Sequence, residues 1–332
     1  MAIMKNLLFR GKWVAITAAT ILLALLLAVL SPVFLSVSNI QGVLIQASVT
    51  GIMAMGMTFI ILTSGIDISV GAILYFTAAL FAKLVEISTP IPLAFGAAIL
   101  CASLLGTLNG FLVVTFSMSP LITTLATYTM YRGMAIHLTS AQNIPVPRAF
   151  GFLGNGKIYG IPVPILLFAL IFFIGLYLLG KTRFGIYVMA LGNSVEAARE
   201  SNLPVKKITM GAYFLGGITT SISALILLAR VGGLQSGMGI GIEFTVIAAV
   251  VLGGTKLSGG SGTIIGSAVG AIFLVLIDNG LNLIQASPYI YDIVKGTVLL
   301  TAVIVDKVSI ERQKKQLHLQ KALRIQGVGL EV

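Results

Sequence analysis

The first long apolar stretch of the chain reads WVAITAATILLALLLAVL, residues 13–30. Every residue in it is apolar or small, and a helix of about 20 such residues crosses the hydrocarbon core of a bilayer. A secretory signal peptide has a shorter apolar core and a small-x-small cleavage site, and no such site follows before Ser31-Pro32. We therefore interpret this stretch as a retained membrane-spanning helix.

The composition extends this interpretation to the whole chain. Of 332 residues, 57% are hydrophobic and only 9% are charged, whereas a soluble domain is about one quarter charged. In lipid the backbone must satisfy its own hydrogen bonds, which leaves helices or a closed barrel. Barrel strands alternate polar and apolar residues, but the long runs here are apolar on all sides. The sequence therefore predicts an all-α polytopic membrane protein.

Ten apolar segments are long enough to be spanning helices. They are residues 13–35, 40–62, 70–88, 91–116, 119–138, 162–180, 209–230, 240–254, 262–285 and 290–306.

The positions of the basic residues predict the orientation of these segments. Fourteen of the 21 lysines and arginines lie in three places between or beyond the predicted spans: Lys5, Arg10, Lys12, Lys181, Arg183, Arg199, Lys206, Lys207, Lys307, Arg312, Lys314, Lys315, Lys321 and Arg324. Cytoplasmic segments carry this excess. We expect about ten transmembrane helices with both termini cytoplasmic. The expected units are a segment 1–12, a transmembrane domain 13–306 with a cytoplasmic loop 181–208, and a tail 307–332.

Several chemistries are disfavoured. The net charge of +11 lacks the aromatic-studded basic face of a nucleic-acid binder. The glycine-rich run 253–262 is not a phosphate loop, because Thr255 rather than Gly precedes Lys256. His137 and His318 are the only histidines and Cys101 is the only cysteine, which excludes a histidine-rich metal cluster and an intrachain disulfide. We expect no catalytic residue, no metal site and no cofactor in this chain.

Two segments interrupt the helical pattern within apolar surroundings: residues 63–71 and 253–262. Irregular backbone at membrane depth persists only when it is buried in protein or lines a wet cavity. In many transporters, interrupted helices in the two halves of the chain mark the permeation path. The alternative is that both are ordinary tight cytoplasmic loops.

Glycines at four-residue spacing indicate close helix packing. They occur at Gly262, Gly266 and Gly270, and again at Gly106 and Gly110. Such glycines lie on one helix face and allow two backbones to approach.

Ionisable residues at membrane depth are candidates for function. Asp67, Glu243 and Asp278 fall in or beside the interrupted segments or inside helices. We favour Asp67, although helix capping beside Ser69 is an alternative. Asp292 and Lys295 are three residues apart and are expected to pair locally.

The central basic loop predicts a short polar helix. Asn193 is suited to cap its start with Glu196 three residues later, and Asn202 is suited to close it in the left-handed conformation. Pro204 prevents the helix from continuing. A helix of about two turns is marginal in water unless it docks on a partner, so we expect an intracellular protein partner.

Three motifs resemble the permease subunits of the bacterial ABC importers for simple sugars, the family that includes the ribose permease. The first is GMT at 56–58 with TSGIDISVG at 63–71, the second is GNSVEAAR at 192–199, and the third is AAVVLGGT at 248–255 with SGG at 258–260 and NGLNL at 279–283. Their order along the chain is that of the family. The sequence departs from the family's pattern in two places. Asn202 stands where Gly is common, and in the sequence EFT at 243–245 the second acidic residue that often follows the glutamate is missing. The second departure leaves the identity of the sugar open.

The resemblance implies an assembly in the bacterial cytoplasmic (inner) membrane. It implies a second permease copy or paralogue, an ATP-binding cassette subunit that holds ATP and Mg²⁺, and an extracytoplasmic sugar-binding protein. It also implies that helix 194–201 is a coupling helix that docks on the ATPase. The coupling residues are then Asn193, Ser194, Glu196, Ala197, Ala198, Arg199 and Ser201.

We expect ATP binding and hydrolysis in the partner to drive alternating access of a polar path through this chain. The path residues that we predict are Gln46, Ser48, Asp67, Ser69, Glu243, Thr245 and Asn279. Ribose is the first expectation, and other monosaccharides remain open. The main alternative is a secondary transporter or channel in which Asp67, Glu243 or Asp278 carries protons or ions. A membrane-embedded enzyme is a third alternative, for which the sequence shows no nucleophile and base.

Overall fold

The computed structural model describes residues 2–287, 289–301, 303–304, 307–308 and 311. The long helices run back and forth through one bundle. They are α1 (Ala2–Leu30), α2 (Val37–Leu62), α3 (Val70–Glu86), α4 (Ile91–Thr115), α5 (Pro120–Thr139), α7 (Val163–Lys181), α8 (Arg183–Asn193), α10 (Val205–Val231), α11 (Ile242–Leu252) and α12 (Ile264–Leu283). The short elements are β1 (Ile144–Pro145), a 3-10 helix (Arg148–Gly151), α6 (Phe152–Asn155), β2 (Lys157–Ile158), β3 (Ile161–Pro162), α9 (Val195–Glu200) and β4 (Gly233–Leu234). Residues 289–301 are also helical.

Six of the described helices are long and apolar enough to cross a membrane: α1 from Trp13, α2, α4, α7, α10 and α12. The chain is therefore a multi-pass membrane protein. Helix α2 is central. Of the residues in its most apolar 18-residue stretch, 83% are buried inside the bundle, whereas only 11% of those in the corresponding stretch of α1 are buried. Helix α10 is the other buried long helix and packs against α4 and α2.

The predicted apolar segments coincide with helices. The first nine correspond to α1, α2, α3, α4, α5, α7, α10, α11 and α12, with ends that differ by a few residues in most cases. Helix α1 begins at Ala2, so it includes most of the predicted segment 1–12. The tenth segment, 290–306, is described as far as residue 301 and at 303–304. The predicted tail 307–332 lies outside the described residues except at 307, 308 and 311.

The two ends of the bundle differ. At one end, which we call the α9 end, lie α9 and the non-helical connections 63–69 and 253–263, which confirms the two predicted interruptions. At the other end, which we call the strand end, β1 pairs with β4 and β2 pairs with β3, each antiparallel. Tyr159 and Gly160 join β2 to β3 with positive φ angles of 50° and 82°, as a tight two-residue hairpin requires.

Glycines bring the helix backbones together, as predicted. A Cβ at Gly106 of α4 would collide with the backbone of Tyr213 in α10, and one at Gly110 would press on Met210 of the same helix. Gly270 of α12 approaches the backbone of Ala249 in α11 in the same way, and Gly266 approaches Gly253, the residue that follows α11. Gly262 differs, because it precedes α12 and faces the side chain of Thr255. Its predicted place on the α12 face is therefore wrong.

The packing of α4 on α10 makes a prediction about two glycines of one helix. We expect Gly106→Ala to lower the stability of the protein by about 1–3 kcal/mol, because the added methyl group must separate two packed backbones. Gly96→Ala is the matched control, since Gly96 lies in α4 with open space around it. The measurement is the thermal unfolding midpoint in detergent, and equal midpoints for the two variants would contradict the packing argument.

Candidate functional site

The predicted cytoplasmic loop 181–208 contains two helices rather than one. Helix α8, which the sequence analysis missed, begins after Thr182, whose hydroxyl accepts a hydrogen bond from the Gly185 amide at 3.3 Å. Its buried residues Val188 and Leu191 are three apart and face the bundle. The threonine cap before this apolar spacing was the signal that could have predicted the helix.

The short polar helix is present as α9, but its cap is Ser194 and not Asn193. The Ser194 hydroxyl accepts a hydrogen bond from the Ala197 amide at 3.1 Å. Ser194 has the extended backbone of a cap (φ −162°), whereas Asn193 continues α8 and donates to the Met189 carbonyl at 2.9 Å. The predicted pairing of Asn193 with Glu196 is thus replaced by one between the Ser194 hydroxyl and the Glu196 carboxylate, at 3.3 Å. Asn202 closes the helix with a φ of 56°, which confirms that prediction.

Helix α9 presents most of its side chains outward. Glu196, Ala197, Arg199 and Ser201 are exposed, while Ala198 is buried against the rest of the chain. The exposed face offers two acidic groups, Glu196 and Glu200, and one basic group, Arg199, together with small side chains that let another surface approach closely.

Three segments meet directly behind α9, and we call them the three-segment junction: residues 62–64, 192–193 and 258–260. The Gly260 amide donates to the Leu62 carbonyl at 3.0 Å. The Ser64 hydroxyl donates to the Ser258 carbonyl at 2.8 Å and lies 3.4 Å from the Gly192 carbonyl. The two interrupted segments predicted from opposite halves of the chain are therefore in contact, with the end of α8 between them.

Asp67 lies in the first interrupted segment, and both of its carboxylate oxygens have a hydrogen-bond donor nearby. Its Oδ1 accepts from the Ser69 amide at 2.8 Å and from the Ser69 hydroxyl at 2.6 Å, and its Oδ2 is 3.4 Å from the Asn109 amide nitrogen. Asn109 in turn accepts from the Tyr131 hydroxyl at 3.0 Å. Burial raises the pKa of the Asp67 carboxyl to about 6, while the bonds from Ser69 and Asn109 act in the opposite direction.

The same segment is held by its backbone. The Tyr213 hydroxyl of α10 donates to the Ile66 carbonyl at 3.2 Å, and the Ile68 amide donates to the Thr124 hydroxyl of α5 at 3.1 Å. Helices α4, α5 and α10 thus hold the segment of chain that connects α2 to α3 in place. Asp67 makes a local contact to Ser69, but it is not the cap of α3, because Ser69 itself occupies the cap position and no side chain caps that helix.

A cavity of about 790 Å³ lies among α2, α10, α11, α12 and the helical residues 292–299. Its lining combines apolar side chains with a few polar groups, as in sites for small polar ligands. The polar and charged residues of the lining are Gln46, Thr50, Arg230, Thr245, Asp278, Asp292 and Lys295.

One ion pair lines this cavity. Lys295 Nζ lies 3.0 Å from Asp278 Oδ2, so the predicted local pairing of Lys295 with Asp292 is wrong. The other carboxylate oxygen, Asp278 Oδ1, is buried and has no hydrogen-bond partner among the residues that the structure describes. A buried charged oxygen without a donor is costly, which makes it the natural acceptor for a ligand hydroxyl.

The predicted path residues are thus divided between several places. Gln46 and Thr245 line the cavity. Ser48 is buried and donates to the Leu44 carbonyl of its own helix, and Asn279 exchanges hydrogen bonds with Asn39. Asp67 and Ser69 belong to the network described above. Glu243 is buried against Gly71 of α3.

Five polar residues of the cavity were not among the predicted path residues: Thr50, Arg230, Asp278, Asp292 and Lys295. Thr50 follows Gln46 by one helical turn and shares its face of α2, which is a signal available in the sequence. The local sequence did not indicate that Arg230 and Lys295 line the cavity, because their positions depend on how α10 and the helix 289–301 pack. Among the residues that the structure describes, no group of three histidine, cysteine or acidic side chains could hold a metal ion.

A bundle of apolar helices around a cavity with a few polar side chains, with a short outward-facing helix at one end, suits a membrane transport subunit. In agreement with this, the family model of the permease component of branched-chain amino acid transport systems matches residues 39–303. The chain therefore belongs to this family of ABC transporter permeases.

Curated relatives cover nearly the whole chain. It is 38% identical over 306 residues to the ribose import permease protein RbsC of Escherichia coli K12, which is 90% of this chain and 95% of the relative. The Bacillus subtilis ribose import permease is 39% identical over 289 residues, 86% of this chain and 90% of the relative. The D-allose transport system permease protein AlsC of Escherichia coli K12 is 32% identical, with 86% and 90% covered. No solved structure matches the chain.

The Asp67 network predicts a loss of stability when the carboxylate is removed. We expect Asp67→Ala to lower the free energy of unfolding by about 2 kcal/mol, because the Ser69 and Asn109 donors lose a buried acceptor. The measurement is the unfolding midpoint in detergent, with the exposed Glu86→Ala as the control. An unchanged midpoint combined with altered solute uptake would instead place Asp67 in contact with the transported molecule.

Proposed function

We propose that this chain is the membrane subunit of an ATP-driven importer for a monosaccharide, with ribose as the first candidate. The observation that carries this proposal is α9: a short, outward-facing helix that directly follows the end of α8, where residues 192–193 contact both interrupted segments of the bundle. The named function of the relatives, ribose import and D-allose transport, supports the choice of substrate class.

In this proposal the chain crosses the bacterial inner membrane about ten times with both termini in the cytoplasm. Lys181, Arg183, Lys206 and Lys207 flank α8 and α9, and such basic clusters remain on the cytoplasmic side. The α9 end therefore faces the cytoplasm and the strand end faces outward. A second copy or a paralogue pairs with the chain, and a sugar-binding protein delivers the solute at the strand end.

The ATPase partner, which holds ATP and Mg²⁺, docks on α9 and shifts the permease between inward-open and outward-open states. Docking can bias this equilibrium only if the partner binds the two states with different affinity. The charged and small side chains of α9 make the contacts with the ATPase. The connection of α9 to the end of α8 carries the movement of α9 into the bundle.

The cavity is the proposed place for the sugar. A neutral polyol needs donors and acceptors but no net charge, and the Asp278–Lys295 pair provides both without an excess of either sign. Asp278 Oδ1 is free to accept a hydroxyl, and Gln46 and Thr245 can hold others.

The unpartnered Asp278 oxygen also favours a second candidate, a secondary transporter in which this group binds a proton or cation. That candidate predicts solute uptake by the chain alone in proteoliposomes under an ion gradient. The importer predicts that uptake of labelled ribose requires ATP, the ATPase subunit and the binding protein together.

The docking proposal predicts the effect of changing α9. We expect Glu196→Ala combined with Arg199→Ala to weaken association with the ATPase by about tenfold, because two charged contacts are lost at the interface. Co-purification and binding of the isolated ATPase measure the effect. Arg148→Ala, an exposed arginine at the strand end, is the control, and equal binding of both variants would remove α9 from the interface.

The cavity proposal predicts a specific role for the ion pair. We expect Asp278→Asn and Lys295→Gln each to slow ribose uptake by about tenfold at saturating binding protein, because a hydrogen bond to a charged group contributes about 1.5–3 kcal/mol. The exchanged pair Asp278→Lys with Lys295→Asp keeps the attraction but reverses the positions of donor and acceptor.

The exchanged pair distinguishes a role in binding the sugar from a role in joining two helices. We expect it to fold and still to transport slowly. If it transports at the unmodified rate, the pair only joins α12 to the helix 289–301. Lys83→Ala with Glu86→Ala is the control, because that pair, 2.7 Å apart, is exposed and lies away from the cavity.

A further inference from the structure

We propose that the three-segment junction carries the displacement of α9 to the helices that wall the cavity, and that Ser64, Gly192 and Gly260 are positioning residues of the transport cycle. This inference rests on the proposed function, because it assumes that a partner moves α9. It adds the route by which that movement reaches the solute.

The connection between α9 and the junction is very short. Helix α8 ends at Asn193, the cap Ser194 follows, and α9 begins at Val195. One residue spans only about 3.8 Å between neighbouring Cα atoms, so there is no slack to absorb a shift of α9. A displacement of α9 therefore displaces residues 192–193.

Residues 192–193 cannot move without the other two segments. A Cβ at Gly192 would overlap the Leu62 carbonyl and the Gly260 amide, so the three backbones are in direct contact. Gly259 and Gly260 have φ angles of 84° and 70°, and a Cβ on either would collide with Ser64 or Asn193. Close-packed backbone transmits a displacement, whereas flexible side chains would absorb part of it.

Hydrogen bonds tie the same segments. The Gly260 amide holds the last carbonyl of α2 at 3.0 Å, and the Ser64 hydroxyl holds the Ser258 carbonyl at 2.8 Å. The Asn193 side-chain amide lies 3.5 Å from the Gly260 carbonyl. Each bond joins elements that are far apart in the sequence.

The junction leads to the cavity through three helices. Residue 62 ends α2, and residues 258–260 connect α11 to α12. These three helices contribute Gln46, Thr245 and Asp278 to the cavity wall. A shift of residues 192–193 therefore acts on three sides of the cavity at once, which a docking helix on a free loop could not do.

Gly192→Ala tests the junction, and Gly180→Ala is its control. Gly180 lies near the end of α7 with open space around it, so a methyl group there is harmless. The reconstituted importer, with its ATPase and binding protein, is assayed for assembly, ATP hydrolysis and uptake of labelled ribose. We expect Gly192→Ala to assemble and hydrolyse ATP but to move about tenfold less ribose per ATP hydrolysed.

Ser64→Ala is a second variant that adds no bulk, in case Gly192→Ala does not fold. It removes the bond to Ser258, and we expect a smaller decrease in ribose moved per ATP, about threefold. Its control is Ser117→Ala, a serine at the same end that also has a positive φ, of 51°. A merely structural role would lower the unfolding midpoint and the assembly while leaving the ratio of ribose to ATP unchanged.

The outcomes separate this inference from the proposed function. If the unmodified complex shows no ATP-dependent ribose uptake, the proposed function fails. If it transports ribose and both junction variants keep the unmodified ratio of ribose to ATP, the junction proposal alone is overturned.

Discussion

Direct contact between backbones at glycine positions determines how the helices of this permease are arranged. Lipid tails are as apolar as leucine, so burial of apolar side chains gives little force between helices inside a bilayer, and close van der Waals packing takes its place. Three such contacts are those of Gly106 with α10, Gly270 with α11 and Gly192 with the last carbonyl of α2. At each of them a single methyl group would have to displace backbone, so these positions set the separation of the helices.

The same contacts place the functional groups. Because α12 lies directly on α11, Asp278 and Thr245 come to one cavity wall, and α2 completes it with Gln46. At their other ends these helices converge on residues 192–193, next to α9. The cavity and α9 thus lie at two ends of one packed unit.

The length of the apolar stretches predicted the helices, and clusters of glycine and serine predicted the two interruptions. Both features depend on local sequence. The cap of α9 was misplaced by one residue, since Asn193 and Ser194 can both cap and only the packing of α8 decides between them. The pairing of Lys295 with Asp278 could not be predicted, because it depends on how two helices pack. Ser48 was chosen for its polarity, yet its hydroxyl is satisfied within its own helix.

The two buried aspartates show what distinguishes a structural carboxylate from a ligand-binding one. Depth in the membrane made Asp67 the favoured candidate, but both of its oxygens already have donors in the chain. Asp278 is also buried, yet one of its oxygens has none, and it lines the cavity. A carboxylate oxygen that already accepts a hydrogen bond gains less from a ligand hydroxyl than an oxygen that has no donor. The hydrogen bonds therefore favour Asp278 over Asp67 as a contact in the proposed sugar site, and those of Asp67 hold the bend that joins α2 to α3.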